Sequence, residues 1–180
     1  MSHFENKALP VKQYHHPQSQ YSDVPSLGLR CLVLAPSSSG KTNLLVHMIT
    51  DIYAGCFTAG IHIISNSISI DDAWIPVRRY IEQQGFEPSK YLHEGYDDEL
   101  MGKILAEQKQ VIEYQKKKGQ GGKKHPLHGM LIVMDDVLDD AKVMRRSKNL
   151  ELLFVRARHM QISTIVSVQK YRAGSTPPDR

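Results

Sequence analysis

The residues with the clearest potential for chemistry form a short loop between an apolar run and an apolar helical pattern. The run ends at Leu34, and residues 35–42 are Ala-Pro-Ser-Ser-Ser-Gly-Lys-Thr. Small residues allow successive backbone N–H groups to curl around a polyphosphate, and the start of a helix adds a favourable dipole. Lys41 can then reach the β- and γ-phosphates, and Thr42 can bind Mg²⁺. The predicted nucleotide-binding residues are Pro36, Ser37, Ser38, Ser39, Gly40, Lys41, Thr42 and Asn43.

One position departs from the usual form of such a loop, G-x-x-x-x-G-K-[ST]. Ala35 stands where the first glycine is expected. Because alanine tolerates a positive φ angle less well than glycine, we expect the loop to begin in a conformation that a small L-residue can adopt. The sequence therefore predicts a variant phosphate-binding loop.

A second chemical signal lies about ninety residues further on, where four apolar residues lead into two carboxylates, Asp135 and Asp136. A buried strand that ends in acids places them at the carboxyl edge of a sheet, where ligands of α/β proteins bind. Asp135 is predicted to hold Mg²⁺ through water, and Asp136 to orient or deprotonate an attacking water. The expected cofactors are therefore ATP and Mg²⁺.

Apolar strand patterns alternate with helical patterns along the chain, which predicts an α/β fold with a parallel sheet. Strands are expected at 29–34, 60–65, 131–134 and 162–168. Four helices are expected. The first covers 41–53, the second follows Asp71-Asp72, and the third follows Asp97. The fourth includes Leu150 to Phe154 and is expected to be capped by Asp139-Asp140. The helix after Asp97 should bury Leu100, Met101, Ile104, Leu105, Val111 and Ile112. Gln169 ends the last strand and can sense the γ-phosphate if that strand lies between the first strand and the Asp135 strand.

The chain has 180 residues, of which 41% are hydrophobic and 23% are charged, a composition typical of a soluble globular protein. The expected organisation is an N-terminal arm at 1–26, an ATP-binding domain at 27–172 and an irregular tail at 173–180. No run of eighteen apolar residues occurs and the N-terminus is polar, so we expect neither a membrane span nor a signal peptide. Cys31 and Cys56 are expected to be reduced thiols in an intracellular compartment. The nine histidines form no ligand cluster, so no metal site built from protein side chains alone is expected.

A glycine-rich basic loop follows the third helix, and the net charge is +4. Its lysines could neutralise the backbone phosphates of duplex DNA and make binding salt-sensitive. A solvated, flexible linker explains the same composition equally well. The candidate DNA contacts are Lys116, Lys117, Lys118, Lys123 and Lys124.

Three blocks taken together resemble a known superfamily. The phosphate loop, Ile-Val-Met-Asp-Asp, and Arg-Ala-Arg-His ahead of Ser-Val-Gln are similar to the FtsK/HerA superfamily of DNA-pumping ATPases. Within it, the chain most resembles the poxvirus-type genome-packaging ATPases of large DNA viruses, virophages and related mobile elements. The likeness covers roughly residues 29–171.

This resemblance implies a P-loop NTPase fold of the additional-strand, RecA-like type, with a mostly parallel central sheet flanked by helices. The Gln169 strand would lie between the phosphate-loop strand and the Asp135 strand. It also implies a homo-oligomeric ring, in which Arg158 is an arginine finger offered to the neighbouring subunit's ATP. Arg156 competes for that role.

The function implied is an ATP-hydrolysing motor that packages the double-stranded DNA of a virus or mobile element. Its catalytic residues would be Lys41, Asp136, Arg158 and Gln169. Capsid or portal proteins are expected partners. The expected location is the host cytoplasm or nucleus, or the virion. Two alternatives stay open: a small-molecule or nucleoside kinase, and a nucleotide-gated assembly protein with little turnover.

Overall fold

A computed structural model describes residues 14–137 and 147–169. In these two ranges, five parallel strands form one sheet in the order β1-β5-β4-β2-β3. The strands are β1 Arg30–Leu34, β2 Gly60–Ser65, β3 Leu92–Glu94, β4 Met130–Asp135 and β5 Ile162–Val168. Since β5 lies between β1 and β4, the predicted additional-strand α/β fold is confirmed.

Burial explains why the central strands were visible in the sequence. Every residue of β2 and β4 is buried, so these strands are nearly continuous apolar runs, as parallel strands covered on both faces are. In contrast, β1 is an edge strand on which Leu32 is 56% exposed and Leu34 is 50% exposed. The third strand was not predicted, because Leu-His-Glu is too short to show a pattern.

Within the described residues, four α-helices cover the two faces of the sheet. They are α1 Lys41–His47, α2 Ile75–Gln83, α3 Asp98–Lys117 and α4 Lys148–Arg156. A π-helical turn, Met48–Ile52, continues α1, and 3₁₀ turns at Asp72–Trp74 and Ala157–Met160 precede α2 and follow α4. Buried residues of α1 and α2 pack on one face, and those of α3 and α4 on the other. None of the described helices is long and apolar enough to cross a membrane.

The helix starts show which acids act as caps. As predicted, Asp71 is a cap and accepts a hydrogen bond from Ala73 N at 2.9 Å. Asp97, after which a helix was expected, also acts as a cap and accepts one from Glu99 N at 2.8 Å. For α4 the prediction was wrong, because Ser147 is its N-cap and accepts from Leu150 N at 2.9 Å. The predicted caps, Asp139 and Asp140, lie outside the described residues.

The amphipathic stripe of α3 agrees with the sequence pattern except at one position. Val111 was expected among the buried residues, but it is 39% exposed. Its neighbour Ile112 is buried, with 2% exposed, and marks the true edge of the apolar stripe. Two consecutive residues, about 100° apart around the helix, therefore lie on either side of the boundary between core and solvent.

Part of the N-terminal arm is held against the basic loop. His15 N donates to Gly121 O at 2.8 Å, and Leu127 N donates to His15 O at 2.7 Å. The Lys116 ammonium lies 4.6 Å from the centre of the Tyr14 ring. These contacts tie the loop to the arm at its centre and at its end.

Candidate nucleotide site

The phosphate loop leaves β1 without needing a glycine at its first position. Ala35 N donates to Val168 O at 3.3 Å, so Ala35 still belongs to the sheet. Positive φ angles come later, 58° at Ser38 and 85° at Gly40. Alanine at position 35 is therefore compatible with the fold, because the turn that needs left-handed residues begins three residues after it.

Lys41 begins α1 and is nearly buried, with 8% of its surface exposed. Its Nζ donates to Pro36 O at 3.1 Å, across the mouth of its own loop. A bound triphosphate would replace this carbonyl as the partner of the ammonium. The loop is thus arranged around the position in which a phosphate is expected.

Asp135 ends β4 at the carboxyl edge of the sheet, with 4% of its surface exposed. Burial is the main reason that its pKa is raised, and the charges of Asp136 and Asp71 raise the pKa further. Ser167 and Lys41 oppose this shift. Even so, neither Asp135 Oδ1 nor Ser167 Oγ has a hydrogen bond with good geometry to any described residue.

Asp136 follows directly and is fixed from two sides. Its N–H donates to Ser167 O at 3.0 Å, and its Oδ2 accepts from Gln169 Nε2 at 2.7 Å. The backbone of Asp136 has a φ of 53°, a left-handed conformation that aspartate tolerates better than most residues. Its Oδ1 is buried and has no partner among residues 14–137 and 147–169.

The donor set fits a magnesium ion. Mg²⁺ prefers oxygen ligands and keeps several waters, so that one or two protein oxygens suffice when phosphates supply others. Asp135 offers an unpaired carboxylate oxygen, and the half-buried Thr42 stands next to Lys41 at the start of α1. Within the described residues there is no group of three His, Cys, Asp or Glu side chains that could hold a metal without such help.

Comparison with protein families identifies the chain. The Pox_A32 family, Poxvirus A32 protein, matches residues 20–176. The chain belongs to this family. The predicted resemblance to poxvirus-type genome-packaging ATPases of the FtsK/HerA superfamily is thereby confirmed. A comparison with curated proteins gives no match.

Among solved structures, this Pox_A32 chain is similar to the cytoplasmic domain of EssC, with 12% identity and a TM-score of 0.47 over 93% of the chain. It is also similar to Thermomonospora curvata EccC (ATPases 2 and 3) in complex with a signal sequence peptide, with 15% identity and a TM-score of 0.40 over 87% of the chain. The chain spans 35% of the EssC chain and 29% of the EccC chain.

The two candidate arginine fingers lie away from this site. Arg156 ends α4, and Arg158 lies in the turn that precedes β5, so both are at the amino edge of the sheet. The seven residues of β5, at about 3.3 Å each, separate that edge from the carboxyl edge by about 20 Å. The structure therefore brings Lys41, Asp135, Asp136 and Gln169 together in one copy and leaves both arginines outside.

The basic loop also lies at the amino edge, at the far end of α3 from the nucleotide site. Lys117, Lys118, Lys123 and Lys124 are exposed there, whereas Lys116 is half-buried beside Tyr14. Any contact of these lysines with DNA would be separated from the phosphate loop by the length of the sheet.

Sequence reasoning missed three contributors to the site. Asp71 was assigned only as a cap, yet its charge reaches Asp135. Ser167 faces the carboxylates from β5, and Asn66 Nδ2 lies 3.5 Å from Asp136 O. Asn66 and Ser167 stand at the carboxyl ends of predicted strands, which is the signal that could have identified them.

Proposed function

We propose that this chain binds Mg²⁺ and ATP at the carboxyl edge of its sheet and hydrolyses ATP to move double-stranded DNA of a virus or mobile element. The observation that supports this best is the convergence of Lys41 with two neighbouring carboxylates, each of which has one buried, unpaired oxygen. Such oxygens are costly to bury and are typical of sites that complete themselves with a ligand. Membership of the Pox_A32 family supports genome packaging as the purpose.

In the proposed mechanism the phosphate loop and Lys41 hold the β- and γ-phosphates, while Thr42 and Asp135 hold the magnesium ion. When bound, the ion would neutralise charge that develops on the phosphates during transfer. Asp136 would orient the attacking water and accept its proton through the unpaired Oδ1. These roles divide the two neighbouring carboxylates into a metal ligand and a base.

Gln169 positions the base. Its 2.7 Å hydrogen bond to Asp136 Oδ2 directs the free Oδ1 of the same carboxylate toward the site. Because Gln169 follows β5, directly beside the phosphate loop, its amide could also contact the γ-phosphate. We therefore propose that Gln169 couples the presence of the γ-phosphate to the orientation of Asp136.

The test is ATP turnover by the purified chain with and without duplex DNA. We expect Lys41→Ala to abolish nucleotide binding, and Asp136→Asn to retain binding but lose turnover. Equal loss of binding in both variants would contradict the division of roles. Turnover stimulated by a nucleoside rather than by DNA would support a kinase, and no single-turnover cleavage even with DNA would support an assembly protein.

The arginine finger is proposed to come from a neighbouring copy, because both candidates lie at the opposite edge of the sheet from the phosphate loop. Arg158→Ala or Arg156→Ala should lose turnover but regain it when mixed with Lys41→Ala chains, since each mixed interface can then combine an intact loop with an intact arginine. Failure of both mixtures to recover turnover would argue against a shared site.

A further inference from the structure

The surface between α3 and α4 contains a groove that no described residue fills. Its volume is about 260 Å³. Ile112 and Met160 are buried and form its floor, and Leu152 lines one side with 38% of its surface exposed. An apolar floor of this kind favours a partner that inserts an apolar side chain.

The sides of this α3–α4 groove are basic. Lys109, Lys116, Arg156 and His159 line it, together with a single acid, Glu113. Glu113 lies 3.9 Å from Lys109 in an ion pair one turn apart, so the groove keeps the uncompensated charges of Lys116 and Arg156. A fitting partner therefore carries an apolar side chain next to carboxylates. The phosphates of a nucleic acid would use the charges but not the apolar floor.

The same chain presents such a segment at the carboxyl edge of the sheet, opposite the groove. Ile70 is 81% exposed, the largest exposure among the large apolar residues of the described chain. Asp71 and Asp72 follow it directly. The turn is fixed, because Ile70 N and Asp71 N both donate to Ser67 O, at 3.1 Å and 2.9 Å. We refer to residues 70–72 as the acidic knob.

The acidic knob and the groove lie at opposite edges of the sheet, so one copy cannot join its own two surfaces. The knob follows β2 at the carboxyl edge, and Arg156 and His159 lie at the amino edge. Two different surfaces that complement each other between copies make a head-to-tail contact, which closes into a ring or continues as a filament.

We propose that the acidic knob of one copy docks into the α3–α4 groove of the next, with Ile70 on the apolar floor and Asp71 and Asp72 beside Lys116 and Arg156. The charge of Asp71 reaches Asp135 of its own copy, so this contact brings the neighbour's Arg156 to the border of the nucleotide site. Only this role of Arg156 rests on the proposed function. The proposed contact selects Arg156 over Arg158, because Arg156 lines the groove. Arg158 lies instead beside Gly28, with its Cγ 3.8 Å from the position that a Cβ on Gly28 would take.

Disulfide trapping tests the contact directly. One preparation carries Ile70→Cys and another Leu152→Cys, and both positions are exposed, so folding should be unaffected. We expect disulfide-linked dimers in the mixture and none in either preparation alone. The unsubstituted chain controls for Cys31 and Cys56. No linked species in the mixture, with or without Mg²⁺ and ATP, would overturn the proposal, as would equal linkage in the Ile70→Cys preparation alone.

Association in solution gives an independent measurement. Sedimentation velocity should show that Ile70→Ser weakens self-association about 10- to 100-fold, because one exposed isoleucine loses its burial at the contact. Asp72→Lys and Lys116→Glu should each weaken it, and the double variant should recover part of the loss. Unchanged association in Ile70→Ser would contradict the docking. The docking would also be contradicted if Lys116→Glu lost binding to duplex DNA while its self-association stayed intact.

ATP turnover separates this inference from the proposed function. A chain that forms the linked dimer but does not hydrolyse ATP retains the contact and contradicts the enzymatic role. Conversely, a chain that hydrolyses ATP without forming the dimer retains the enzymatic role and contradicts the contact.

Discussion

Replacing Asp135, the buried residue that we propose as a metal ligand, should stabilise the protein and at the same time remove its response to nucleotide. Asp135 is 4% exposed, has an unpaired Oδ1, and has its pKa raised by burial and by the neighbouring charges of Asp136 and Asp71. Asparagine has the same shape without the charge. Its amide can also donate to Ser167 Oγ, which has no partner among the described residues.

The expected gain can be worked from these contacts. One new buried hydrogen bond contributes about 1 kcal/mol, and removal of an uncompensated charge adds a similar amount, so Asp135→Asn should raise the free energy of unfolding by about 1–2 kcal/mol. For a chain of this length that corresponds to an increase in Tm of about 2–8 °C. Mg²⁺ and ATP at about 100 times Kd should stabilise the unsubstituted chain by about 2.7 kcal/mol and the variant by much less.

The sign of the pH dependence supplies a second check. A raised carboxyl pKa means that the folded state binds the proton more tightly than the unfolded state, so ionisation destabilises the fold as pH rises above the ordinary value of 3.8. The advantage of Asp135→Asn should therefore be present at neutral pH and shrink as the carboxyl becomes protonated in acid.

Thermal unfolding at neutral pH, with and without Mg²⁺ and ATP, measures both effects. The order of stability should reverse. Asp135→Asn should be the more stable chain without ligand, and the unsubstituted chain should be the more stable one with Mg²⁺ and ATP. Asp23→Asn, at an exposed position outside the acidic knob, is the matched control. A variant less stable than the unsubstituted chain without ligand, or equally stabilised by ligand, would refute the reasoning.

Three further outcomes are expected. Burial and the charge of His93 lower the pKa of His62 to about 3. Because the unfolded state then binds more protons below the ordinary pKa, acidification from about pH 7 to 5.5 should lower the free energy of unfolding by about 1.3 kcal/mol. Urea titrations of His62→Gln should not show this loss. Gly121→Ala, with φ of 102° and a Cβ position 2.5 Å from Tyr14 Cδ1, should destabilise the chain by about 1–3 kcal/mol in the same titrations. Gly119→Ala is the control, because its φ of 73° also strains alanine but its Cβ would meet nothing within 4 Å; equal loss there would contradict the role of the arm. ATP turnover per chain should rise with protein concentration, and a constant value would argue against a shared site.

Much of the fold was predictable because the strands that build the site are buried on both faces. The bounds of β2 and β5 agree with the predicted ranges 60–65 and 162–168. The phosphate loop and Asp135 could be located because loop chemistry and the carboxyl edge of a strand both restrict residue type. The position of β5 beside β1 followed only from the resemblance, since no local pattern specifies strand order.

The parts that could not be predicted depend on contacts distant in sequence. Asp139 and Ser147 both suit a helix cap, and only the structure shows that α4 begins after Ser147. The attachment of Tyr14 and His15 to the basic loop rests on backbone hydrogen bonds across more than a hundred residues, which residue types do not reveal. In the same way, the charge of Asp71 on Asp135 depends on how the turn after β2 is folded.

Charge at the candidate nucleotide site bears on the proposed assembly of copies. The charges of Asp136 and Asp71 raise the pKa of Asp135 at the carboxyl edge, and that of Lys41 opposes them. A triphosphate adds further negative charge, which one lysine and one magnesium ion only partly neutralise. Both candidate arginines lie about 20 Å away at the amino edge, given the length of β5. We therefore propose that a neighbouring copy supplies additional positive charge for phosphoryl transfer, which is the physical argument for the head-to-tail assembly proposed above.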